Sequence, residues 1–527
     1  MSSDAPKALA HNWIDDNHET WSAWHTTIWN YAEPAWREYE SARWYVDLLR
    51  REGFEVEAGS GGMPTAFAAS WSNGIGPTVL TYAEYDAVPG NCQAAEPIRG
   101  PRPGVSRYAP GHTDPHSALG ISTFTALLAA KRAMEEHGIT GTLRYTGEPA
   151  EKMHGSKPVH GLRGYYDGVD AIVSFHPFYQ LPLCNTVRWD THCGAYYSVI
   201  YTFTCDEPET WATAEPGSPI PGAHSAARAP GANAALVTMY QLTKTTQDAM
   251  AAAFGGWSLS DAILPTGQAT ADNIPPGLAS IQYSWRTPDV ATAEQVRAVL
   301  DRNASAAAQA THCAVRERWV ARSRPGLANH AMAELVWSNL RDVGPPSYSD
   351  GAVQTAQEMQ RALGLEPTDA PLLAETSQLV EPREAERRLR QVIPPVQRNW
   401  TSDDYVEMTW YAPTARLYVG RAALAPNPAG TAHPDWVMNA LGGIPATIDP
   451  TIRCAAKTVA GSLLDLLRQP ELLARARAEL EERRAERDLD PLLPQDFSAP
   501  VEYGWPDYVR ASRVGEWCVP DPEGAPQ

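Results

Sequence analysis

Three apolar runs in this chain each deliver an acidic or imidazole side chain at or just past their ends, and that repetition restricts the fold more than any other feature. Pro77-Thr-Val-Leu-Thr-Tyr runs into Glu84-Tyr-Asp86, Thr142–Thr146 runs into Gly147-Glu-Pro-Ala-Glu151-Lys152, and Asp170-Ala-Ile-Val-Ser-Phe ends on His176. Between the first two lie a Pro/Gly/Arg-rich loop (91–111), the turn Gly111-His-Thr-Asp-Pro-His116-Ser-Ala-Leu-Gly120 and a helix-like stretch, Ile121–His137. Short apolar strands separated by a helix predict an α/β sheet, and such sheets bind ligands outside the carboxyl ends of their strands. Asp86, Glu151 and His176 are therefore expected side by side.

The surrounding pattern predicts two domains. Residues 12–52 read as helix-rich, with Trp13, Trp21, Trp24, Trp29 and Trp36 forming an aromatic core. Strands are expected at Gly53–Val56 and Thr65–Ser70. From Gly194 the character changes: Ala195–Thr204 alternates as a half-buried strand does, and a helix begins at about Asn233. A strand at Leu278–Trp285, a helix near Thr292–Thr311 and a strand at Ala314–Trp319 complete a compact α+β unit. That unit, 194–322, is expected as an insertion into a discontinuous domain formed by 1–193 and 323–527. In the last part, 384–400 reads as a charged loop, Val406–Trp410 and Ala415–Gly420 as strands, and Thr451–Arg468 as a helix. Pro470 suits the first turn of a further helix reaching about Arg487.

Composition excludes several classes of function. A net charge of −19 argues against nucleic acid or an anionic membrane surface as partner. No apolar run has the length of a membrane span, and the N-terminus lacks a basic region followed by an apolar core, so a cytoplasmic location is expected. The seven cysteines are scattered without a CxxC spacing, which predicts buried thiols rather than disulfides or a thiolate metal site. Lysine is scarce, six residues against 37 arginines, yet Lys152 and Lys157 both fall in or just after the second turn.

His112, Asp114 and His116 alternate in the first turn, and Glu148, Glu151, His154 and His176 gather near the other strand ends. Mixed imidazole and carboxylate donors suit zinc, manganese, iron or cobalt. On residues alone, the cluster reads as a metal site or as a set of hydrogen-bonded structural groups.

The successive blocks resemble the M20 metallopeptidases, in particular their amidohydrolase branch. The resemblance is carried by Met63-Pro-Thr-Ala-Phe67, Glu84–Gly90, Gly111–Gly120, Gly147–Lys157, Phe175-His-Pro177, Ala223-His224-Ser-Ala-Ala, Asn273-Ile-Pro, Arg286-Thr-Pro and Pro413–Tyr418, in preserved order over roughly residues 20–490. It implies an α/β catalytic domain, a mixed sheet flanked by helices, with an inserted α+β lid that mediates homodimerisation. It also implies one or two divalent ions per chain, zinc or manganese, held by Asp114, His116, His176 and His433, with Asp86 supporting them from behind. Glu151 matches the general base and His224 the oxyanion-stabilising histidine. Asn273 and Arg286 match positions that hold the substrate.

Lys152 departs from the family, which has a metal-binding glutamate there. An ammonium about 4 Å from a divalent ion meets repulsion of about 8 kcal/mol at an effective dielectric near 20. Three outcomes are open: another ligand substitutes, one ion is lost, or both are lost and Lys152 pairs with Asp114 or Glu151. The expected function is hydrolysis of an N-acyl or N-aroyl amino acid, or a similar small amide, by metal-activated water. One alternative is an acyl-transfer, cyclisation or proton-transfer enzyme of specialised metabolism with an altered metal site, in which Lys152 itself is catalytic as base or nucleophile. The other is a metal-less binding homologue.

Overall fold

The computed structural model describes residues 4–178, 180–205, 231–250, 256–264, 276–427, 430–485 and 490–502, with two short strands at Arg510–Arg513 and Glu516–Cys518. In chain order the other strands are β1 (Glu55–Ala58), β2 (Phe67–Ser72), β3 (Thr78–Ala83), β4 (Thr142–Gly147), β5 (Ala171–Phe178), β6 (Thr186–Val187), β7 (Ala195–Thr204), β8 (Ser258–Ile263), β9 (Leu278–Thr287), β10 (Ala314–Ser323) and β11 (Thr414–Gly420). They form a mixed seven-stranded sheet, β1-β2-β4-β3-β5-β11-β6, and a four-stranded sheet, β10-β7-β9-β8.

In the larger sheet β4, β3, β5 and β11 run parallel, whereas β1, β2 and β6 pair antiparallel at its margins. Strands β5 and β11 are buried along almost their whole length, as expected of parallel strands covered on both faces. The chain leaves β3, forms β4 on one side of it and then β5 on the other. That reversal opens a crevice at the carboxyl ends of β3 and β5. The helix His116–His137 connects β3 to β4 and is buried along most of its length. Its Gly120 lies against the carbonyl of Glu84, and the helix Pro445–Arg468 packs alongside it.

The smaller sheet is antiparallel throughout. The helices Ala232–Thr246 and Val290–Ala310 cover it and share a core containing Tyr197, Tyr283, Trp285, Val296 and Leu300.

Two sequence expectations are corrected. Tyr405–Met408 is a helical turn, not a strand; the Asp403 carboxylate accepts from the backbone N–H of Tyr405 and redirects the chain there. Residues expected as a loop at 384–400 begin as a helix, Pro382–Val392, started by Pro382 and by the Glu381 carboxylate accepting from the N–H of Glu384. Its apolar stripe is short, Ala385 and Leu389 being its buried interior positions, so the charges mask it. Strand β8 is not evident in the sequence, because it is short, mostly exposed and half polar.

Candidate active site

The groups of the site sit near strand ends or on the turns and helix that follow them. Glu84 and Asp86 come directly after β3, and His176 lies near the end of β5. His116 opens its long helix, so its ring stands at the positive end of the helix dipole. Glu151 and Lys152 occupy a single 3₁₀ turn after β4, flanked by Ala150 at φ 55° and His154 at φ 52°. Two non-glycine residues with left-handed backbone so close together mark a constrained turn. Glu38 holds it from behind, accepting from the N–H of Ala150 at 2.8 Å while Thr65 donates to its other oxygen. Burial, reinforced by nearby Asp86, pushes the Glu38 carboxyl up to about 8.

Asp86 is the organising residue. One carboxylate oxygen meets Nδ1 of His116 at 2.6 Å, and the other accepts from the backbone N–H of Lys152 at 2.9 Å. The first contact fixes the imidazole so that Nε2 faces inward. Around that nitrogen lie Glu84 Oε2 and Glu151 Oε2, both at 3.4 Å, and Lys152 Nζ at 3.3 Å. Lys152 Nζ also reaches Asp114 Oδ2 at 2.7 Å and Glu151 Oε2 at 3.1 Å. His176 places Nε2 3.4 Å from Asp114 Oδ1 and directs Nδ1 at the Pro177 carbonyl, 2.6 Å away. The Asp114 and Lys152 side chains are 38% and 28% exposed, whereas Glu84 and His116 are fully buried, so solvent meets the cluster at the first two.

The charges shift one another strongly. Burial and the Lys152 ammonium oppose protonation of His116, but Asp86 and Glu84 outweigh them and raise it to about 9. Burial would raise Glu151, yet Lys152 and His116 hold it at about 2. Burial lowers His176 to about 4. Burial would raise Asp114, but His176 and Lys152 keep it well below the usual carboxylate range. Burial raises Glu84 to about 7 against the opposing pull of Lys157.

Three groups of donor atoms, each group within 4.8 Å, lie among the described residues: Glu84, His116 and His176; Asp86, His116 and Glu151; Glu84, Asp403 and Asp404. The second does not fit a divalent ion as it stands, because both Asp86 oxygens are committed, to His116 Nδ1 and to the Lys152 N–H, and Glu151 is paired with the Lys152 ammonium. The third is compensated by Lys157, which donates to Glu84 Oε1 at 2.7 Å and Asp404 Oδ1 at 2.5 Å, and by Arg416, which pairs with Asp403. The first fits: Glu84 Oε2 is buried without a hydrogen-bond partner, and two imidazoles beside a carboxylate suit a transition-metal ion.

The structure thus brings together Asp86, Asp114, His116, Glu151, Lys152 and His176 among the residues singled out in the sequence. It separates others. His433 directs Nε2 to the Ala425 carbonyl at 2.8 Å and belongs to none of the three donor groups. His112 contacts the Ile28 carbonyl, and Glu148 pairs with His160 and Tyr166. His154 stacks on Tyr196 at 3.8 Å, and the Arg286 guanidinium lies 5.2 Å over that same ring. Arg286 therefore approaches the Glu151–Lys152 turn from the smaller sheet. His224 and Asn273 fall outside the described residues. The sequence alone gives no role to Glu38, Glu84, Lys157, Asp403, Asp404 or Arg416. For Glu84 and Lys157 a signal exists: a carboxylate directly after a buried strand, and a rare lysine.

No protein-family model matches the chain. It is 33% identical over 162 residues to a p-aminobenzoyl-glutamate hydrolase subunit of Escherichia coli, covering 30% of this chain and 32% of that protein. It is 31% identical over 148 residues to thermostable carboxypeptidase 2 of Saccharolobus solfataricus, covering 27% and 35% respectively. These matches span about a third of the curated relatives' length. The crystal structure of an aminobenzoyl-glutamate utilization protein from Klebsiella pneumoniae superposes over 85% of this chain and 98% of its own, with a TM-score of 0.51 and 14% identity. The sequence similarity thus covers about a third of the chain, and the structural likeness shows the same α/β fold with a mixed sheet.

Proposed function

We propose that this chain hydrolyses the amide bond of an N-acyl or N-aroyl amino acid or a similar small amide. The observation that carries the reading is the convergence of His116 Nε2, Glu84, Glu151 and His176 at the carboxyl ends of β3, β4 and β5, with Asp86 behind His116. Similarity to an aminobenzoyl-glutamate hydrolase subunit and to a carboxypeptidase supports an amide substrate.

A divalent ion held by Glu84, His116 and His176 would polarise the scissile carbonyl and acidify a water. Glu151, ionised throughout the neutral range, is the carboxylate that would take a proton from an attacking water and pass it to the leaving nitrogen. Lys152, its ammonium 3.1 Å from Glu151, steadies the carboxylate in one orientation and lowers its basicity. Partly exposed, it also faces incoming ligand, where a fixed positive charge favours a carboxylate or a developing oxyanion. Arg286, above Tyr196 and His154, supplies a second cation beside the same turn.

We read residues 194–322 as the lid and dimerisation unit, with 1–193 and 323–527 as the catalytic part. Supporting this, β8 is an edge strand whose Ile263 is 58% exposed, a surface suited to pairing with a second copy. Among the described residues no helix is long and apolar enough to cross a membrane.

The test is to supply the full chain with zinc, manganese or cobalt and follow amine release from a panel of N-acyl and N-aroyl amino acids. Hydrolysis that disappears in Glu151→Gln supports the reading. A panel left unhydrolysed by the metal-loaded chain, with the same compounds rearranged or acyl-transferred instead, overturns it in favour of the non-hydrolytic alternative, for which the Lys152 position is the specific motive.

A further inference from the structure

We infer that Lys152 is a resident cation occupying one of two cation positions in this cluster, so that the chain takes a single divalent ion between Glu84, His116 and His176. The ammonium lies 2.7 Å from Asp114 and 3.1 Å from Glu151 and so fills the space between those two carboxylates; only its longer 3.3 Å contact with His116 Nε2 has to give way when an ion takes that nitrogen. The backbone N–H of Lys152 is anchored on Asp86, which limits how far its side chain can retreat.

At the same His116 nitrogen, Glu84 Oε2 is fully excluded from solvent, has no hydrogen-bond partner, and sits 3.4 Å from Nε2. A buried carboxylate oxygen left unpaired is costly unless a cation or donor satisfies it. His176 completes a three-donor set there, and its Nδ1 contact with the Pro177 carbonyl leaves Nε2 as the ligating nitrogen.

Charge points the same way. Among the described residues, the carboxylates of Glu84, Asp86, Asp114, Glu151, Asp403 and Asp404 gather around the fixed cations Lys152, Lys157 and Arg416. The surplus of negative charge accommodates one divalent ion more readily than two, since a second ion would have to displace the Lys152 ammonium. The number of cations the cluster holds is independent of the substrate class, so a chain that hydrolyses no amide still binds one ion.

The experiment is metal titration of the full chain after stripping with a chelator, using Co²⁺ alone and reading both equivalents bound and the visible absorption of the bound ion. The wild type should bind one equivalent. Lys152→Glu, which supplies a carboxylate in place of the ammonium, should bind two. Lys152→Met, which removes the charge and preserves bulk, should bind a second equivalent at least tenfold more tightly than the wild type does. Glu84→Gln should lose the wild-type equivalent or bind it at least tenfold more weakly. Two tight equivalents in the wild type, or none, would overturn the inference, as would an unchanged stoichiometry in both well-folded Lys152 variants. Retention of the single ion with unaltered affinity in Glu84→Gln would overturn the assigned ligand set.

Discussion

Glu84 Oε1 and the Lys157 ammonium lie 2.7 Å apart with both side chains wholly excluded from solvent, and Asp404 closes the other side of the ammonium at 2.5 Å. One lysine thus stands between two buried carboxylates from distant parts of the chain. Breaking such an arrangement at one member strands the others, at a cost of about 3–5 kcal/mol. Lys157→Met should therefore lower stability by that amount in chemical denaturation. Adding Glu84→Gln and Asp404→Asn should return much of the loss, because neutral amides tolerate the vacated space. A single variant as stable as the wild type would show that Lys157 does not carry the charge of this pocket.

Asp86 aligns His116 and anchors Lys152, so Asp86→Asn should act on both. Loss of the orienting carboxylate behind a ligating histidine weakens metal binding about 10–100-fold. Competition against a chromophoric chelator reads this directly. In the metal-free chain the pair also stabilises the fold, and the sign of its pH dependence is fixed. Asp86 is held below its ordinary value and His116 is raised to about 9, so their stabilisation is full from about pH 4 to 6.5. It fades as pH rises from about 6.5 through 9, and as pH falls from about 4 through the carboxyl's lowered value. The destabilisation caused by Asp86→Asn should track that window.

The sheet is legible in the sequence where burial makes the pattern simple. Strands β3, β4 and β5 appear as apolar runs within one or two residues of their ends. The same runs announce Asp86, Glu151 and His176, because residues near or just past the carboxyl end of a buried parallel strand face the crevice. Residues that neutralise the cluster are hidden for the opposite reason. Asp403 and Asp404 lie in a stretch that looks like any polar turn, and only tertiary packing brings them to Lys157 and Arg416. Arg416 sits in the middle of a buried strand, where a charge is informative only once Asp403 is known to meet it. Local period also misleads at Val406 and Met408, whose alternation imitates a strand within a single helical turn.

Acid should unfold the metal-free chain through its buried neutral histidines. Burial lowers His25, His154 and His192 each to about 3 and His176 to about 4. In the unfolded chain each binds a proton near its ordinary pKa of about 6.5. The unfolded state therefore holds more protons below that pH, and stability falls as pH drops from 6.5 toward 3. Each such group contributes about 1.4 kcal/mol per pH unit across that range. His25 is outside the three donor groups, with its Nε2 meeting the Ser117 hydroxyl at 3.2 Å, and can be replaced without touching a candidate ligand. Denaturation of His25→Gln between pH 6 and 4 should show a slope shallower by about one proton. An unchanged slope would mean that His25 is charged in the folded chain.

Gly120 sets the spacing between the helix that opens on His116 and the strand end that carries Glu84. A Cβ added there would overlap the Tyr45 hydroxyl and lie 2.9 Å from the Glu84 carbonyl oxygen. Gly120→Ala gains about 1 kcal/mol of helix propensity but suffers overpacking of about 1–3 kcal/mol, and the second effect wins because backbone stands on one side. The displaced helix carries His116 away from Glu84, so metal affinity should fall together with stability. Tyr45 offers a way to separate the two clashes. Its hydroxyl is buried without a hydrogen-bond partner, so Tyr45→Phe alone should be neutral or slightly stabilising. Combined with Gly120→Ala it should recover part of the loss, the part due to the hydroxyl, while the Glu84 carbonyl contact persists. A double-mutant cycle in chemical denaturation measures this coupling. Strict additivity of the two changes would show that the helix yields at some other contact, and that Gly120 does not hold His116 against the strand end.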